Sequence, residues 1–282
     1  MAGERVLKLY ADIGRYAKLR RLQRFYDSLV TDDVEFALPH IYQVTSVHEL
    51  LAVVERRIEG KPLSDLIGGL GADRARTARR VYLDTARTLQ KIGLASEVTQ
   101  YVLFDDSGTS STKNQGWSKF IFTLAEVKLA GRRRTLEMDV VDLSAKHARL
   151  SEIFSACAYD GPLKLVHGDF FPGNLLMHGV DRAAGVIDFG SFTMFGDPLY
   201  DLALACLFFD MYGQDSRLIR DEMIDMALVG LGADERIRFH AYAMAYALMS
   251  CDRYGPAESL QEDGHYRWAT GILNDAALWR QL

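Results

Sequence analysis

The chain reads as an α+β protein. Short apolar runs closed by turn residues occupy residues 5–10, 36–58 and 163–187, and such runs are strand-like. Between and after them, apolar residues recur three and four apart, the period of helices packed on one face. At 282 residues the chain can bury a large core and divide into two lobes, and 49% hydrophobic with 25% charged residues is ordinary for a globular protein.

Taken in order, residues 5–10 form a strand with Lys8 flanked by apolar residues. Residues 16–29 are helical in period, with Leu19, Leu22, Phe25, Tyr26 and Leu29 on one face and Arg20, Arg21 and Arg24 on the other. Residues 36–44, which include Pro39, extend again. Residues 50–58 form a further strand, followed by a Glu59-Gly60 turn and then Lys61-Pro62-Leu63. Residues 73–92 make an amphipathic helix closed by Gly93, with its arginines turned outward. Residues 104–116 are the most polar segment and read as a loop. Residues 117–130 return to helical periodicity. Gly131 closes them, and Arg132, Arg133 and Arg134 near the helix end suit its dipole. Another helix covers residues 143–158.

A net charge of −5 argues against a general nucleic-acid binder, which is usually basic, and mildly favours cationic small molecules. Cys157, Cys206 and Cys251 show no paired spacing and lie among apolar neighbours, so they read as buried thiols. There is no apolar signal core and no run of membrane-spanning length. Together these point to a cytoplasmic protein with no membrane or nucleic-acid partner.

The chemistry is concentrated in residues 163–203. Three short apolar runs carry polar residues at their ends, giving His167-Gly-Asp169, then Asn174, then Asp188-Phe-Gly one hairpin later. Functional side chains commonly sit on loops between strands. A carboxylate, an amide oxygen and a second carboxylate at this spacing converge on one point. A hard cation such as Mg²⁺ takes an all-oxygen set of this kind, with phosphate oxygens and water completing its shell. Asp197-Pro198 then opens a helix, aspartate being a favoured cap and proline fitting the first helical position. Asp201 lies one turn in.

His-x-Asp-x4-Asn followed by Asp-Phe-Gly has the spacing of the eukaryotic-type kinase catalytic and metal-binding loops. Gly168 stands where protein kinases have arginine, and Gly-Asp-Pro-x-x-Asp-Leu-Ala (196–203) replaces an Ala-Pro-Glu ending. In that combination the chain resembles the aminoglycoside phosphotransferase and choline kinase superfamily of small-molecule kinases. The resemblance runs from about Arg5 to the C-terminus and is strongest over residues 163–203.

It implies a two-lobed protein-kinase-like fold: a reduced N-terminal β lobe with hinge (1–60) and a mainly helical C-terminal lobe (61–282) that binds the acceptor. It implies ATP and Mg²⁺ as cofactors and a small-molecule hydroxyl as acceptor. That acceptor is an aminoglycoside or similar antibiotic, or a metabolite such as an amino alcohol, sugar or homoserine-like compound. A non-catalytic binding protein that keeps the fold is the rival. By the same resemblance, Asp169 orients the hydroxyl and takes its proton, and Asn174 and Asp188 hold the metal. Lys8 holds the α/β-phosphates, and the backbone of Glu55 and Arg57 reads the adenine. His167 fastens the catalytic loop, and Asp201 accepts hydrogen bonds from that loop's backbone.

Two features depart from the family. A Gly-rich hairpin precedes the lysine strand there, whereas only seven residues precede Lys8 here; the small lobe is pared down or begins upstream. The family's helix glutamate, partner of the lysine, is also missing, with Gln23 nearest to its place. Downstream, two groups of acids, Asp210, Asp215, Asp221, Glu222 and Asp225 and then Asp252, Glu258, Glu262 and Asp263, flank the helix 237–250. Aromatics accompany them: Phe239, Tyr242, Tyr246, Tyr254, Tyr266 and Trp268. In the family, this region forms the acceptor pocket, where acids pair with ammonium groups and aromatics suit quaternary amines.

Overall fold

The structure is a computed structural model, described here over residues 4–95, 100–104, 116–211, 216–251 and 264–282. The expected loop 104–116 therefore lies outside the described residues except at its two ends. So do Asp215, Asp252, Tyr254, Glu258, Glu262 and Asp263 among the expected acceptor residues. The chain divides into two compact units: Met1–Thr109 with Lys164–Phe195, and Ser110–Leu163 with Gly196–Leu282. This division by compactness is a different cut from the lobes 1–60 and 61–282 expected from the sequence.

In the first unit, β1 (Arg5–Tyr10) is followed by α1 (Tyr16–Asp27) and the two-residue β2 (Leu29–Val30). Next come β3 (Ile41–Val47), β4 (Leu50–Arg56), β5 (Lys61–Pro62), α2 (Leu63–Ile67), α3 (Ala72–Leu89) and β6 (Gly93–Leu94). The strand expected at 36–44 starts later, at Ile41. Pro39 has no N–H to give a ladder, and Ala37 makes only an isolated bridge to Gly185. The sheet order is β1-β4-β3, all antiparallel, so β1 is an edge strand. Leu51 and Val53 of β4 and Ile41 and Val44 of β3 are buried, as are Leu19, Phe25 and Tyr26 of α1. On the alternate face Leu7 and Leu9 are 62% and 61% exposed. The structural reason is the strand period of two, which puts Val6, Lys8 and Tyr10 on one face and the leucines on the other.

The unit is completed by β7 (Lys164–Val166), β8 (Leu175–His178), β9 (Arg182–Val186) and β10 (Met194–Gly196). β5, β8 and β9 form one small sheet, and β7 pairs with β10. α3 supports the loop between β7 and β8. Its buried Tyr82 stacks on Phe170 at 4.7 Å, and the Tyr82 hydroxyl donates to the Phe170 carbonyl. One expectation for α3 is corrected here, because Arg79 is buried instead of facing out.

The second unit is helical: α4 (Trp117–Asp139), α5 (Leu143–Ala156), α6 (Leu199–Met211), α7 (Ser216–Ala227), α8 (Ala233–Ser250), α9 (Gly264–Leu273) and α10 (Ala276–Trp279). α4 runs past Gly131, so the three arginines sit inside the helix and not at its end. Buried Leu129 and Leu136 continue the apolar stripe across the glycine, and that burial outweighs the ~1 kcal/mol a helical glycine costs. α6 is apolar all round its core stretch, from Leu202 to Leu207, and is buried accordingly. No helix among the described residues is long and apolar enough to cross a membrane. Cys206 and Cys251 are buried free thiols, and Cys157 is half-exposed.

Candidate active site

The loop between β7 and β8 opens with His167, which is 1% exposed. Its Nε2–H donates to the Ile187 carbonyl at 2.9 Å, and its Nδ1 accepts the Asp169 N–H at 3.3 Å. One ring thus ties Asp169 to the strand end that carries Asp188. Burial drives the imidazole pKa down to about 4, against the opposing pull of the Ile187 hydrogen bond and the Asp188 charge. The ring is neutral near pH 7, and both of its nitrogens are engaged. Phe189 packs on it with centroids 4.5 Å apart, and Phe189 in turn meets Phe25 at 5.9 Å and Tyr26 at 6.2 Å on α1.

Gly168 must be glycine. Its φ is +76°, and a Cβ there would stand 1.9 Å from the Phe192 carbonyl oxygen. Gly173 lies in a single 3₁₀ turn, Pro172–Asn174, without a positive φ, and a Cβ there would press on the Phe171 ring at 2.9 Å. Asn174 Nδ2 donates to the Asp169 carbonyl at 2.8 Å, and the Asn174 carbonyl accepts the Ile187 N–H at 2.9 Å. Asp169, Asn174 and the residue before Asp188 are thereby laced into one network. Asp188 itself adopts φ 66°, a left-handed conformation that costs on the order of 1 kcal/mol or more for a residue with a side chain and is concentrated at functional sites.

The donor set suits a hard cation. Asn174 has its amide nitrogen engaged, which leaves Oδ1, and neither Oδ1 nor the Asp188 carboxylate has a hydrogen-bond partner among the described residues. No group of three or more His, Cys, Asp or Glu gathers among those residues. A metal here would therefore rest on Asp188 and Asn174, with other oxygens coming from what it binds.

Lys8 lies opposite Val53 in the β1–β4 ladder, and Glu55 lies opposite Val6 on the same face. The two side chains form an ion pair. Burial alone would lower the Lys8 pKa, but the Glu55 hydrogen bond and charge outweigh it, with smaller help from Tyr10 and Asp188, and the pKa rises. The carboxylate beside Lys8 thus comes from a strand and not from α1. Gln23, expected beside Lys8, instead donates from Nε2 to the carbonyls of Ile41 at 2.9 Å and Tyr42 at 3.3 Å. The Arg57 N–H donates to the Glu4 carbonyl at 2.8 Å, so that group is already engaged. Glu55 contributes a side-chain ion pair, which the sequence did not signal, and its backbone lies in the β1-β4-β3 ladder.

A cavity of about 550 Å³ is lined by His167, Asp169 and Asp188 together with Tyr10 of β1, whereas Lys8, Asn174 and Glu55 are not among its lining residues. Arg15 and Lys18, absent from the sequence reading, line the same cavity, and the Lys18 Nζ donates to Ser191 Oγ at 2.8 Å. Sequence pattern held no signal for them, since a basic residue on a helix face is normally a solvated one. The volume falls within the range of small-molecule sites.

In the second unit Asp197 is 1% exposed and caps α6, its Oδ1 accepting the Leu199 N–H at 3.0 Å. Its Oδ2 accepts from Arg238 Nε and from the Tyr242 hydroxyl, both at 3.0 Å, and Trp117 Nε1 donates to that hydroxyl at 3.1 Å. Burial raises the Asp197 pKa against these donors. Asp201 is buried on the first turn of α6. The aromatic acceptor pocket is corrected: Phe239, Tyr242, Tyr246, Tyr266 and Trp268 are all core residues, at most 8% exposed. Of the described acids, Asp221 pairs with Arg220 at 2.8 Å, and Asp225 is exposed.

A profile of the phosphotransferase enzyme family matches residues 2–240. No curated protein matches the chain significantly. Among solved structures, the chain is similar to the aminoglycoside phosphotransferase APH(3'')-Id from Streptomyces rimosus, determined with ADP and streptomycin. Identity is 18%, 88% of each chain is covered, and the TM-score is 0.50. ADP-bound APH(2'')-Ib is 19% identical over 96% of this chain and 86% of its own, with a TM-score of 0.54. APH(2")-IIa, determined as a ternary complex with streptomycin and ATP, is 17% identical over 96% and 87%, also at 0.54. The α+β fold is thus the protein-kinase-like one of these enzymes.

Proposed function

Because the chain belongs to the phosphotransferase enzyme family, we propose that it transfers the γ-phosphoryl group of ATP to a hydroxyl of a small molecule, in the cytoplasm. The observation that supports this reading is that Asp169 and Asp188 line the same cavity and are tied together through His167 and Asn174. Asp169 orients the acceptor hydroxyl and receives its proton late in the transfer. Lys8, held by Glu55, neutralises phosphate charge. Mg²⁺, held by Asp188 and Asn174, would offset charge developing on the leaving oxygen. The side chains move little chemistry themselves; they position and stabilise an in-line transfer.

The proposed acceptor is an aminoglycoside or similar antibiotic. Support comes from the streptomycin complexes of two similar structures; the buried aromatics of α8 and α9 lend it none. Two measurements test the proposal. Mg²⁺-dependent ATP should raise the melting temperature, and a panel of aminoglycosides and hydroxylated metabolites should reveal acceptor-dependent ADP release. Asp169→Asn should keep the thermal shift and lose at least about 100-fold in kcat. Absence of any shift at millimolar nucleotide would instead mark a binding protein that keeps the fold. Activity surviving Asp169→Asn nearly unchanged would remove the assignment of the base.

A further inference from the structure

The second unit has a separate cleft of about 420 Å³, lined by Val141 and by Lys146 and Arg149 of α5, and closed by Asn274, Trp279 and Arg280 around α10. Three of its lining side chains are cations and none is a carboxylate. That is unexpected in a chain of net charge −5, where acids outnumber bases. The positive charge is also left largely uncompensated. Arg149 and Arg280 make no ion pair or side-chain hydrogen bond among the described residues. Lys146 Nζ donates to the neutral carbonyl of Leu273 at 2.8 Å and lies 5.7 Å from the Trp279 ring centroid. Burial lowers the Lys146 pKa, with the nearby Asp142 opposing that effect without cancelling it.

The walls are rigid. Trp279 is 7% exposed, and its Nε1–H also donates to the Leu273 carbonyl, at 2.8 Å. Asn274 Oδ1 accepts the Val141 N–H at 3.0 Å, and Asn274 Nδ2 donates to the Asp139 carbonyl at 2.7 Å, pinning the α4–α5 turn to the end of α9. These fixed walls lose little entropy on binding, whereas the exposed Arg149 and Arg280 are ordered by the ligand.

We propose that this cleft binds a small phosphate monoester, with Arg149, Arg280 and Lys146 taking the phosphate and Trp279 and Val141 bordering its apolar part. Guanidinium groups match phosphate oxygens in a bidentate fork, and an ammonium adds a point charge. The volume suits a small molecule. The net charge points the same way, since binders of nucleic acid are basic overall. None of the lining residues takes part in the phosphotransfer cavity of the first unit, so the site does not depend on the function proposed above.

The test follows the Trp279 indole N–H resonance of the full chain, assigned with Trp279→Phe, during titration with phenyl phosphate. Saturating Mg·ADP is present throughout to fill the nucleotide site. A saturable shift is expected below about 10 mM, with inorganic phosphate binding several-fold more weakly. Arg149→Glu with Arg280→Glu should weaken phenyl phosphate at least about tenfold at an unchanged melting temperature. Arg149→Gln with Arg280→Gln serves if the charge reversal disturbs folding. An unmoved resonance, or equal affinity in the double variant, overturns the site; equal affinity for inorganic phosphate overturns the monoester assignment.

Discussion

Replacing His167 with phenylalanine isolates what the buried ring contributes. The tilted ring contacts with Phe189 and Phe170 are kept, while the Ile187 carbonyl and the Asp169 N–H each lose a partner. Leaving a buried polar group unsatisfied costs about 1–3 kcal/mol, so the variant should be about 2–4 kcal/mol less stable at pH 7.5. The pH dependence is more telling. The folded pKa, about 4, lies below the unfolded value of 6.5, so protonation favours unfolding. The ring's contribution is complete above pH 6.5 and is lost as pH falls toward 4. At about 1.4 kcal/mol per unit, roughly 2 kcal/mol has gone by pH 5. Guanidinium unfolding of wild type and variant at several pH values gives the difference between them, from which other titrating groups cancel. That difference should shrink by about 2 kcal/mol between pH 7.5 and 5. A constant difference would refute the assignment of a neutral, doubly bonded imidazole.

Gly168→Ala should abolish soluble protein or cost at least about 3 kcal/mol, because a methyl group collides with backbone at 1.9 Å. Gly190→Ala, where a Cβ meets nothing within 4 Å, is the matched control, and melting curves of both decide it. Glu55→Gln should raise the KM for ATP several-fold with little change in melting temperature, since a partly exposed ion pair is worth at most about 1 kcal/mol; steady-state kinetics checks this. Tyr242→Phe removes the hydroxyl shared by Trp117 and Asp197 and should cost about 1–3 kcal/mol, measured by chemical denaturation.

The core of the site was legible in the sequence because it is local. His167, Asp169, Asn174 and Asp188 lie within one strand–loop–hairpin unit, where spacing nearly determines geometry. The partner of Lys8 was hidden for the opposite reason. Glu55 reaches it only through the register of two strands distant in sequence, and a register cannot be read from either strand alone. Helical period likewise showed that α8 and α9 carry aromatic stripes but not what the stripes face. Tyr246 meets Phe208 of α6 at 5.6 Å and Trp268 of α9 at 6.0 Å, so among the described residues these aromatics pack into a core. Gly131 misled for an energetic reason: a break signal of about 1 kcal/mol was overridden by tertiary burial on either side.

The pairing of Lys8 with Glu55 has a regulatory corollary. In protein kinases the lysine's carboxylate rides on a mobile helix, so swinging that helix out disconnects the pair and silences the enzyme. Here both members belong to adjoining strands of one ladder and travel together. If Lys8 serves the phosphotransfer proposed above, tilting or sliding α1 leaves the pair joined, and that off-switch is absent from the proposed enzyme.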